Sequence, residues 1–405
     1  MSFVSHLIGI GSGARYSADA VMNLCPKDGR PVQIVIDIER LKQDGRIWFT
    51  PGRHNMWRFG ALLALDIDET TDRESIVTLG EGHTPKLDLS ADSIAQRFQL
   101  NLEVKDEGDA HPGYGRNPTG SFKDRGMAMV VSMAKRSGLS RLVVPTQGNA
   151  GDSLAEYAIA ADLEAAVIMP DDTPAPILER VRQLATEYEN IRLELVKGTI
   201  HEAAALMKER YVPDGWFNVA TFQEPGWRIE GKKTLGLEIA ESEHGWRLPD
   251  AIVYPTGGGT GILGMWKAFE ELEALALIGS ERPRMIAVQS AATAPLVEAW
   301  NRNARDTQAT KPGRTIATGL NVPGGVGHFR VLEILRDSDG GALSVNDDAI
   351  QTTMRRILDE HGLQLGPEGA ATLAALPQAF QQGWINAGDS VVAVNTGSYR
   401  KYFFQ

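Results

Sequence analysis

The chain has 405 residues and a formal net charge of −11, from 41 Lys and Arg against 52 Asp and Glu. This length predicts two domains, or one large α/β body with a lobe, rather than one simple core. The acidic balance argues against nucleic acid and anionic membranes as partners, because both require a basic surface. Cys25 is the single cysteine, which excludes an intrachain disulfide and a four-cysteine zinc site.

The composition is that of a globular protein, with 42% hydrophobic and 23% charged residues. The first residues lack the basic region of a signal peptide, and no run reaches the roughly 18 apolar residues that a transmembrane helix needs. We therefore expect a cytoplasmic protein with no membrane partner.

Residues 116–138, RNPTGSFKDRGMAMVVSMAKRSG, predict a helix that begins near Lys123. Four apolar side chains fall at helical spacing on one face, and Gly138 is typical of a helix end. Ser121 and Asp124 have the spacing of a capping box, which places Lys123 in the first turn. The helix dipole disfavours a cation there, unless the amine is neutral or bonded as an imine. A solvated lysine that pairs with Asp124 is the alternative.

From about residue 120, short β-rich runs alternate with helical patterns, which predicts a mostly parallel sheet. The predicted strands are residues 141–145, 165–170, 191–198, 251–255, 284–290 and 390–397. Ligands of such folds bind at the carboxyl ends of strands. Glycine-containing loops follow three of these strands, at residues 146–151, 256–261 and 396–398, which predicts one cleft.

The loop after the first of these strands, TQGNAGDS at residues 146–153, leads into a predicted helix. Its main-chain amides suit the carboxylate of a small substrate, and the Asn149 side chain could bond a ring hydroxyl. The alternative is a turn with Asn149 in the left-handed conformation.

Residues 255–269, PTGGGTGILGMWKAF, predict a phosphate-binding loop. Gly257, Gly258 and Gly259 expose amides without an intervening Cβ, and Thr260 adds a hydroxyl donor. The following helix directs its positive end at the loop. A glycine-rich turn that permits close helix packing is the alternative.

Five strings along the chain together resemble one enzyme family. They are LCPKDGRPVQIVIDIERL (24–41), GEGHTPKLDL (80–89), NPTGSFKDRGM (117–127), WRIEGKKTLGLEIAE (227–241) and VVAVNTGSYRKYF (391–403). These strings resemble the threonine synthases, which belong to the fold-type II group of pyridoxal-phosphate enzymes. The first string resembles a degenerate zinc ribbon within residues 20–45. It keeps Cys25 but has Asp28 where a second cysteine is common, so no metal is expected.

The resemblance implies a role for individual residues. Lys123 would form the imine with pyridoxal 5'-phosphate, and the freed amine would act as the base at the substrate Cα. The further cofactor-binding residues implied are Phe122, Asn149, Gly257, Gly258, Gly259, Thr260, Gly261 and Thr396. The Thr396 hydroxyl would meet the pyridine nitrogen. The substrate-binding residues implied are Thr84, Thr146, Gln147, Gly148 and Arg228.

Threonine synthases convert O-phosphohomoserine and water to threonine and phosphate, so the resemblance implies cations for the substrate phosphate. Arg228, Lys232 and Lys233 are the candidates. One departure bears on this: the family usually has Asn-Pro before its Tyr-Arg, whereas here Glu224 and Pro225 precede Gly-Trp-Arg. A carboxylate would repel a phosphate dianion.

Two alternatives follow from this departure. One is a threonine or serine ammonia-lyase, or another β-replacing enzyme, with the same cofactor residues and no phosphate cluster. The other belongs to a different class: a pyridoxal-phosphate binder without catalysis.

The predicted architecture is a two-lobed α/β fold of fold type II with mostly parallel sheets. Residues 116–225 would form a small lobe that carries Lys123, and residues 226–405 a large pyridoxal-phosphate-binding domain. Residues 1–115 would be an N-terminal segment of that large domain. The cofactor would lie between the lobes, and the resemblance implies a homodimer with an amino acid as its substrate.

Overall fold

The structure is a computed structural model that describes residues 2–403. The strands are β1 Val4–Gly9, β2 Arg15–Tyr16, β3 Val32–Ile36, β4 Lys86–Asp88, β5 Asn101–Asp106, β6 Arg141–Pro145, β7 Glu164–Pro170, β8 Ile191–Val196, β9 Phe217–Asn218, β10 Glu241–Ser242, β11 Gly245–Trp246, β12 Ala251–Pro255, β13 Arg284–Ser290, β14 Gly341–Val345 and β15 Ser390–Asn395.

The α-helices are α1 Ile38–Asp44, α2 Thr70–Arg73, α3 Ser93–Phe98, α4 Lys123–Arg136, α5 Asn149–Ala161, α6 Ala175–Glu187, α7 Ile200–Leu206, α8 Trp227–Ala240, α9 Thr260–Ala274, α10 Pro295–Asn301, α11 His328–Asp337, α12 Asp347–His361, α13 Pro367–Ala374 and α14 Leu376–Gln381. Short 3₁₀ turns lie at Met56–Leu62, Thr318–Leu320 and Tyr399–Lys401, and a π-helical turn at Met207–Tyr211. Among the residues described, no helix is long and apolar enough to cross a membrane.

The described chain divides into two compact units. Residues 2–83 and 115–234 form the first unit with Phe403, and Thr84–Tyr114 and Leu235–Tyr402 form the second. The predicted division is different, because it assigned the whole segment before residue 116 to the large domain. Most of that segment belongs to the first unit. For example, the Val77 amide donates to Ser132 Oγ of α4 at 2.9 Å.

The first unit contains two sheets. The N-terminal sheet has the order β2-β1-β3 and is antiparallel, and the other has the order β8-β7-β6-β9 and is parallel throughout. Its central strands β6 and β7 are buried after their first residue, as their apolar runs require, whereas the edge strand β8 is mostly half-buried or exposed. Its β6 begins and ends at the residues predicted.

The second unit contains a six-stranded sheet of order β14-β13-β12-β15-β5-β4. All its pairs are parallel except β4 with β5. Strands β12 and β13 have the predicted bounds, because runs of β-branched and apolar residues are buried on both faces. The predicted α/β fold with mostly parallel sheets is confirmed.

The start of α4 is also where predicted, but its cap is not. Phe122 occupies the cap position and makes no side-chain cap bond. Ser121 Oγ is buried and has no hydrogen-bond partner within residues 2–403. Asp124 accepts instead from the Thr119 hydroxyl at 2.7 Å and from the Thr119 amide at 2.8 Å. The capping-box prediction is therefore wrong, because Asp124 turns back to the loop rather than to the helix amides.

Cys25, in the segment that resembles a zinc ribbon, lies beside the hydroxyl groups of two residues that precede that segment. Cys25 Sγ is buried and lies 3.3 Å from Ser12 Oγ and 3.1 Å from Tyr16 OH. These contacts make Cys25 a small core residue of the N-terminal sheet.

Candidate active site

Lys123 is the first residue of α4, and its amine lies beside the preceding aromatic ring. The Lys123 Nζ atom is 4.5 Å from the centre of the Phe122 ring, and Phe122 is buried while Lys123 is half-buried. The position at the positive end of a helix is unfavourable for a cation, whereas the face of the ring attracts one. A lysine at this place can bond a carbonyl compound once its amine is deprotonated.

A second lysine reaches the same ring because α4 and α8 approach each other closely. A Cβ atom at Gly231 of α8 would overlap the Arg125 carbonyl oxygen of α4, so only glycine permits this approach. The Lys232 Nζ atom lies 4.3 Å from the Phe122 ring centre. Burial, and then the charges of Lys123 and Arg228, hold the pKa of Lys232 well below its usual range. The neutral form of Lys232 is therefore favoured more than it would be for a lysine in water.

Arg228 lies one turn before Lys232 on the same helix and is almost fully buried. Its Nη2 atom donates to the Val219 carbonyl oxygen, and its amide donates to Glu224 Oε1 at 3.2 Å. Burial lowers the pKa of Arg228 to about 10. Burial raises the pKa of Glu224 to about 7, against the opposing effect of the Arg228 charge. The carboxylate that the sequence placed near the cations therefore lies beside Arg228 and titrates near neutral pH.

The loop of residues 146–149 follows β6 and leads into α5. The Thr146 hydroxyl accepts from the Gly148 amide at 3.1 Å and donates to the Gly148 carbonyl at 3.2 Å. Gln147 and Gly148 are half-buried, and Asn149 is the first residue of the helix. The left-handed alternative for Asn149 is therefore wrong. The loop is tied to α4, since Ser153 Oγ donates to Asp124 Oδ1 at 2.6 Å.

Glu81 is a buried residue that the sequence analysis missed. Its carboxylate accepts from Trp57 Nε1 at 2.7 Å, from the Tyr157 hydroxyl at 2.6 Å and from the Leu79 amide at 2.9 Å. These bonds join the GEGHTP loop to α5 and to the 3₁₀ turn at Met56–Leu62. A carboxylate between two glycines in a loop was the available signal, because a charge in such a position must find donors.

In the second unit, the loop Gly257–Gly259 connects β12 to α9, as predicted for a phosphate-binding loop. A Cβ atom at Gly257 would lie 2.5 Å from the Gly319 carbonyl oxygen. Gly259 adopts φ +93°, and a Cβ atom there would lie 2.5 Å from Val331 Cγ2. The loop thus requires glycine for its own backbone, and Thr260 and Gly261 form the first turn of the helix. A cradle of this shape at a helix N-terminus fits a phosphate group.

His328 supports this loop and was also missed. Its Nε2 atom lies 2.9 Å from the Gly257 carbonyl oxygen, and its Nδ1 atom lies 3.1 Å from Thr307 Oγ1. Burial lowers the pKa of His328. The neutral tautomer that donates from Nε2 and accepts at Nδ1 satisfies both contacts. The available signal was a histidine after the glycine-rich string GGVG and at the start of an apolar helical run.

Thr396 directly follows β15 and is 7% exposed. Strand β15 is a parallel neighbour of β12, with Val253 opposite Ala393. The loops after these two strands therefore leave the same edge of the sheet, which brings Thr396 to the edge that carries the glycine loop. The sequence analysis predicted that these two loops and the loop of residues 146–151 converge on one cleft. The two loops share this sheet edge, whereas residues 146–151 belong to the first unit.

Thr84 lies in a buried cluster of charged groups in the second unit. Its hydroxyl donates to Glu107, its carbonyl accepts from Lys105, and its amide donates to Glu238 Oε2 at 3.2 Å. Lys105 Nζ is 2.8 Å from Glu238 Oε2. The threonine predicted to bind substrate is thus held by an ion pair that joins β5 to α8.

The predicted residues therefore fall into two sets. Phe122, Lys123, Thr146, Gln147, Gly148, Asn149 and Arg228 belong to the first unit, and Thr84, Gly257, Gly258, Gly259, Thr260, Gly261 and Thr396 to the second. Lys123, Lys232 and Arg228 are brought together in the first set, and the glycine loop and Thr396 share a sheet edge in the second.

Within the described residues, one group of side chains has metal-ligand spacing: Asp92, Glu360 and His361. Asp92 already forms an ion pair with the Arg356 guanidinium. This cation takes the place that a metal ion would need, so the group is an ion-pair network.

Comparison with known proteins matches residues 77–397 to the family described as "Pyridoxal-phosphate dependent enzyme". The chain is 30% identical to the threonine synthase of Methanosarcina acetivorans over 98% of its own length and 92% of that protein. It is 28% identical to the threonine synthase of Methanocaldococcus jannaschii over 96% of its length and 91% of that protein.

Solved structures with the same fold include the processed form of threonine deaminase isoform 2 from Solanum lycopersicum, with a TM-score of 0.63 and 22% identity. This match covers 81% of the present chain and 87% of that one. Maize serine racemase matches with a TM-score of 0.64 and 21% identity, over 83% of this chain and 94% of that one. At these low sequence identities the similarity to solved structures shows the fold. The sequence matches to the two threonine synthases show the family. The chain belongs to the threonine synthase family of pyridoxal-phosphate-dependent enzymes, and it is a lyase of the threonine synthase type.

Proposed function

We propose that this chain converts O-phosphohomoserine and water to threonine and phosphate. The observation that carries the proposal is the position of Arg228 and Lys232 on one face of α8, with Lys232 beside the ring of Phe122 that also lies against Lys123. A lyase of this family needs a reactive lysine, and a phosphorylated substrate needs cations near it. The similarity to archaeal threonine synthases over nearly the whole chain supports the same reaction.

Pyridoxal phosphate supplies the electron sink that stabilises negative charge at the substrate Cα. In the proposal, Lys123 bonds the cofactor and its freed amine holds the proton taken from Cα. Gly257, Gly258, Gly259, Thr260 and Gly261 bind the cofactor phosphate through amides and a hydroxyl. Phe122, Asn149 and Thr396 contact the ring, and the neutral Thr396 hydroxyl does not hold the pyridine nitrogen protonated.

Thr146, Gln147 and Gly148 bind the substrate carboxylate in this proposal. Because the Thr146 hydroxyl already bonds Gly148, the main-chain amides of the loop are the better donors for that carboxylate. Thr84, which the buried ion-pair cluster holds in place, also binds the substrate. Arg228 binds the leaving phosphate.

The resemblance to the family also supports a homodimer in the cytoplasm with a small-molecule amino acid as its substrate. Sedimentation of the cofactor-loaded protein tests the dimer directly.

A threonine or serine ammonia-lyase is the second candidate, and Glu224 favours it. A carboxylate beside Arg228 offsets the charge that would attract a phosphate dianion. This second enzyme would use the same Lys123 and would release ammonia and a 2-oxo acid.

The experiment that separates the two is product analysis of the cofactor-loaded protein with O-phosphohomoserine, threonine and serine in parallel. Phosphate and threonine from the first substrate, lost in Lys123→Ala, would establish the proposed reaction. Ammonia and a 2-oxo acid from threonine or serine, with no product from phosphohomoserine, would favour the second candidate. Cofactor absorbance without turnover of any substrate would indicate a binder without catalysis.

A further inference from the structure

Glu224 lies in the turn that leads into α8, and its side chain is 1% exposed. Its Oε1 atom accepts from the Arg228 amide, whereas Oε2 has no hydrogen-bond partner within residues 2–403. The Nε atom of Arg228 also has none within these residues, although the residue is 3% exposed. A buried acceptor and a buried donor are thus left unsatisfied on residues four apart. Leaving buried polar atoms without hydrogen bonds lowers the stability of the fold, unless a ligand or a water molecule supplies those bonds.

The charged groups that act on Glu224 are Arg228 and Lys232, both on α8, and Lys123 acts in turn on Lys232. Two further contacts of this turn involve uncharged groups. Asn23 Nδ2 donates to the Gln223 carbonyl at 2.5 Å, and Gly226 lies against the backbone of Gln33. The charge of this subsite is therefore set by the carboxyl group of Glu224 and by the basic side chains on α8 and at the start of α4.

An anion at Arg228 would meet a different partner in each ionisation state of Glu224. An ionised carboxylate is an acceptor only and repels the anion at short range in a buried site. A protonated carboxyl donates an O–H hydrogen bond, and such a bond to an anionic oxygen is short and strong. Burial and the charges of Lys123 and Arg228 lower the pKa of Lys232, which weakens its ability to offset the repulsion from an ionised Glu224.

We propose that Glu224 couples proton uptake to binding of a dianionic leaving group, so that the subsite formed with Arg228 accepts a phosphoryl-type dianion only when Glu224 is protonated. This inference rests on the proposed function and names the residue that controls its substrate class. The proton comes from solvent when the dianion binds and returns to solvent when free phosphate leaves. With Glu224 ionised, the same subsite favours a neutral hydroxyl group.

Burial raises the pKa of Glu224 to about 7, so the switch would operate within the physiological range. A bound dianion would raise this pKa further. Above pH 7, dianion binding then requires one proton, and the apparent affinity falls about tenfold per pH unit.

Sulfate is the probe, because it stays a dianion over the whole range and does not titrate. We would titrate it into the pyridoxal-phosphate-loaded enzyme, in which the glycine loop is occupied, by calorimetry at pH 6.5 to 8.5. Two buffers of different ionisation enthalpy report the protons taken up per sulfate. The expected result is close to one proton at pH 8 and an affinity that falls about tenfold from pH 7.5 to 8.5.

Glu224→Gln keeps the shape and is never charged. It should bind sulfate with no proton uptake and with an affinity independent of pH, which at pH 8.5 exceeds that of the wild type by at least tenfold. Arg228→Met should lose the binding, which locates the probe. Glu243→Gln changes the same charge at an exposed position and should behave as the wild type.

Sulfate binding without proton uptake in the wild type would overturn the coupling even if phosphohomoserine is turned over. This outcome does not depend on whether the Glu224→Gln protein folds. No sulfate binding by wild type and variant alike would also overturn it, since the subsite would not take dianions. If phosphohomoserine is not a substrate but sulfate binds with one proton, the coupling stands and the proposed function fails.

Discussion

The two units hold the residues that were predicted for a site by different physical means. In the first unit, ionisable side chains on α4 and α8 meet in a buried space, and their protonation states depend on one another. In the second unit, a glycine loop is shaped by neutral contacts: carbonyl groups, a valine side chain and a neutral histidine. We therefore expect the first set of residues to be sensitive to substitutions that change charge and to changes of pH. We expect the second set to be sensitive to substitutions that add side-chain volume.

The largest effect is expected for Lys123→Ala. The variant should lose the visible absorbance of lysine-bound cofactor, and turnover should fall by about 10³-fold or more, because Lys123 is proposed to be both the base and the bonding partner. Absorbance spectra and product formation measure the two losses. Lys135→Ala on the exposed last turn of the same helix is the matched control.

A retained absorbance band in Lys123→Ala would mean that the neighbouring Lys232 can bond the cofactor. Such a result would contradict the expectation that Lys123 alone has this role, because the first unit would then hold two interchangeable amines. The double variant Lys123→Ala with Lys232→Met would decide this point.

The next effect concerns the helix crossing that brings the charges together. Gly231→Ala places a methyl group on the Arg125 carbonyl oxygen of α4, so α8 must move away. We expect a loss of about 3 kcal/mol in the free energy of unfolding, typical of overpacking at a tight contact. Chemical denaturation measures it. A variant as stable as wild type would show that the two helices can separate without cost.

The second unit should show its sensitivity to volume in Gly257→Ala. The added Cβ atom would lie 2.5 Å from the Gly319 carbonyl oxygen, so the loop must shift away from its cradle shape. We expect cofactor affinity to fall by about tenfold, measured by equilibrium dialysis of the apo protein. Gly279→Ala is the control, since a Cβ atom there meets nothing within 4 Å. An unchanged affinity would show that the cradle does not depend on this contact.

The sequence predicted those parts of the fold that depend on local pattern. Strands β6, β12 and β13 were found with their bounds, because buried parallel strands are continuous apolar runs. The start of α4 and the glycine loop were also found, since a helical pattern and a run of glycines are visible in one segment. The similarity of short strings to one family identified Lys123, although its role stays a prediction.

Contacts between distant segments were not predictable in this way. The sequence does not show that Glu81 would bond Trp57 and Tyr157, or that α4 and α8 would cross at Gly231. The cap of α4 was wrong because Asp124 has a nearer donor in Thr119, which spacing alone does not reveal. The placement of residues 2–83 with the first unit was missed for the same reason, since it depends on contacts such as that of Val77 with Ser132.

The smallest effect is expected for His328→Gln, and it tests whether the second unit is insensitive to pH. Burial lowers the pKa of His328, so the folded state binds its proton less well than the unfolded state. The stability that this histidine contributes is therefore complete above its ordinary pKa of 6.5, and it is lost as the pH falls below 6.5 toward the lowered value. Protonation would also remove the acceptor at Nδ1 that meets Thr307.

In the His328→Gln variant, the glutamine amide can still donate to the Gly257 carbonyl but does not titrate. Thermal unfolding between pH 5.5 and 8 should give similar stability for both proteins above pH 7, and a shallower acid decline for the variant. If both proteins lose stability in parallel below pH 6.5, then His328 is not the group that causes the acid decline.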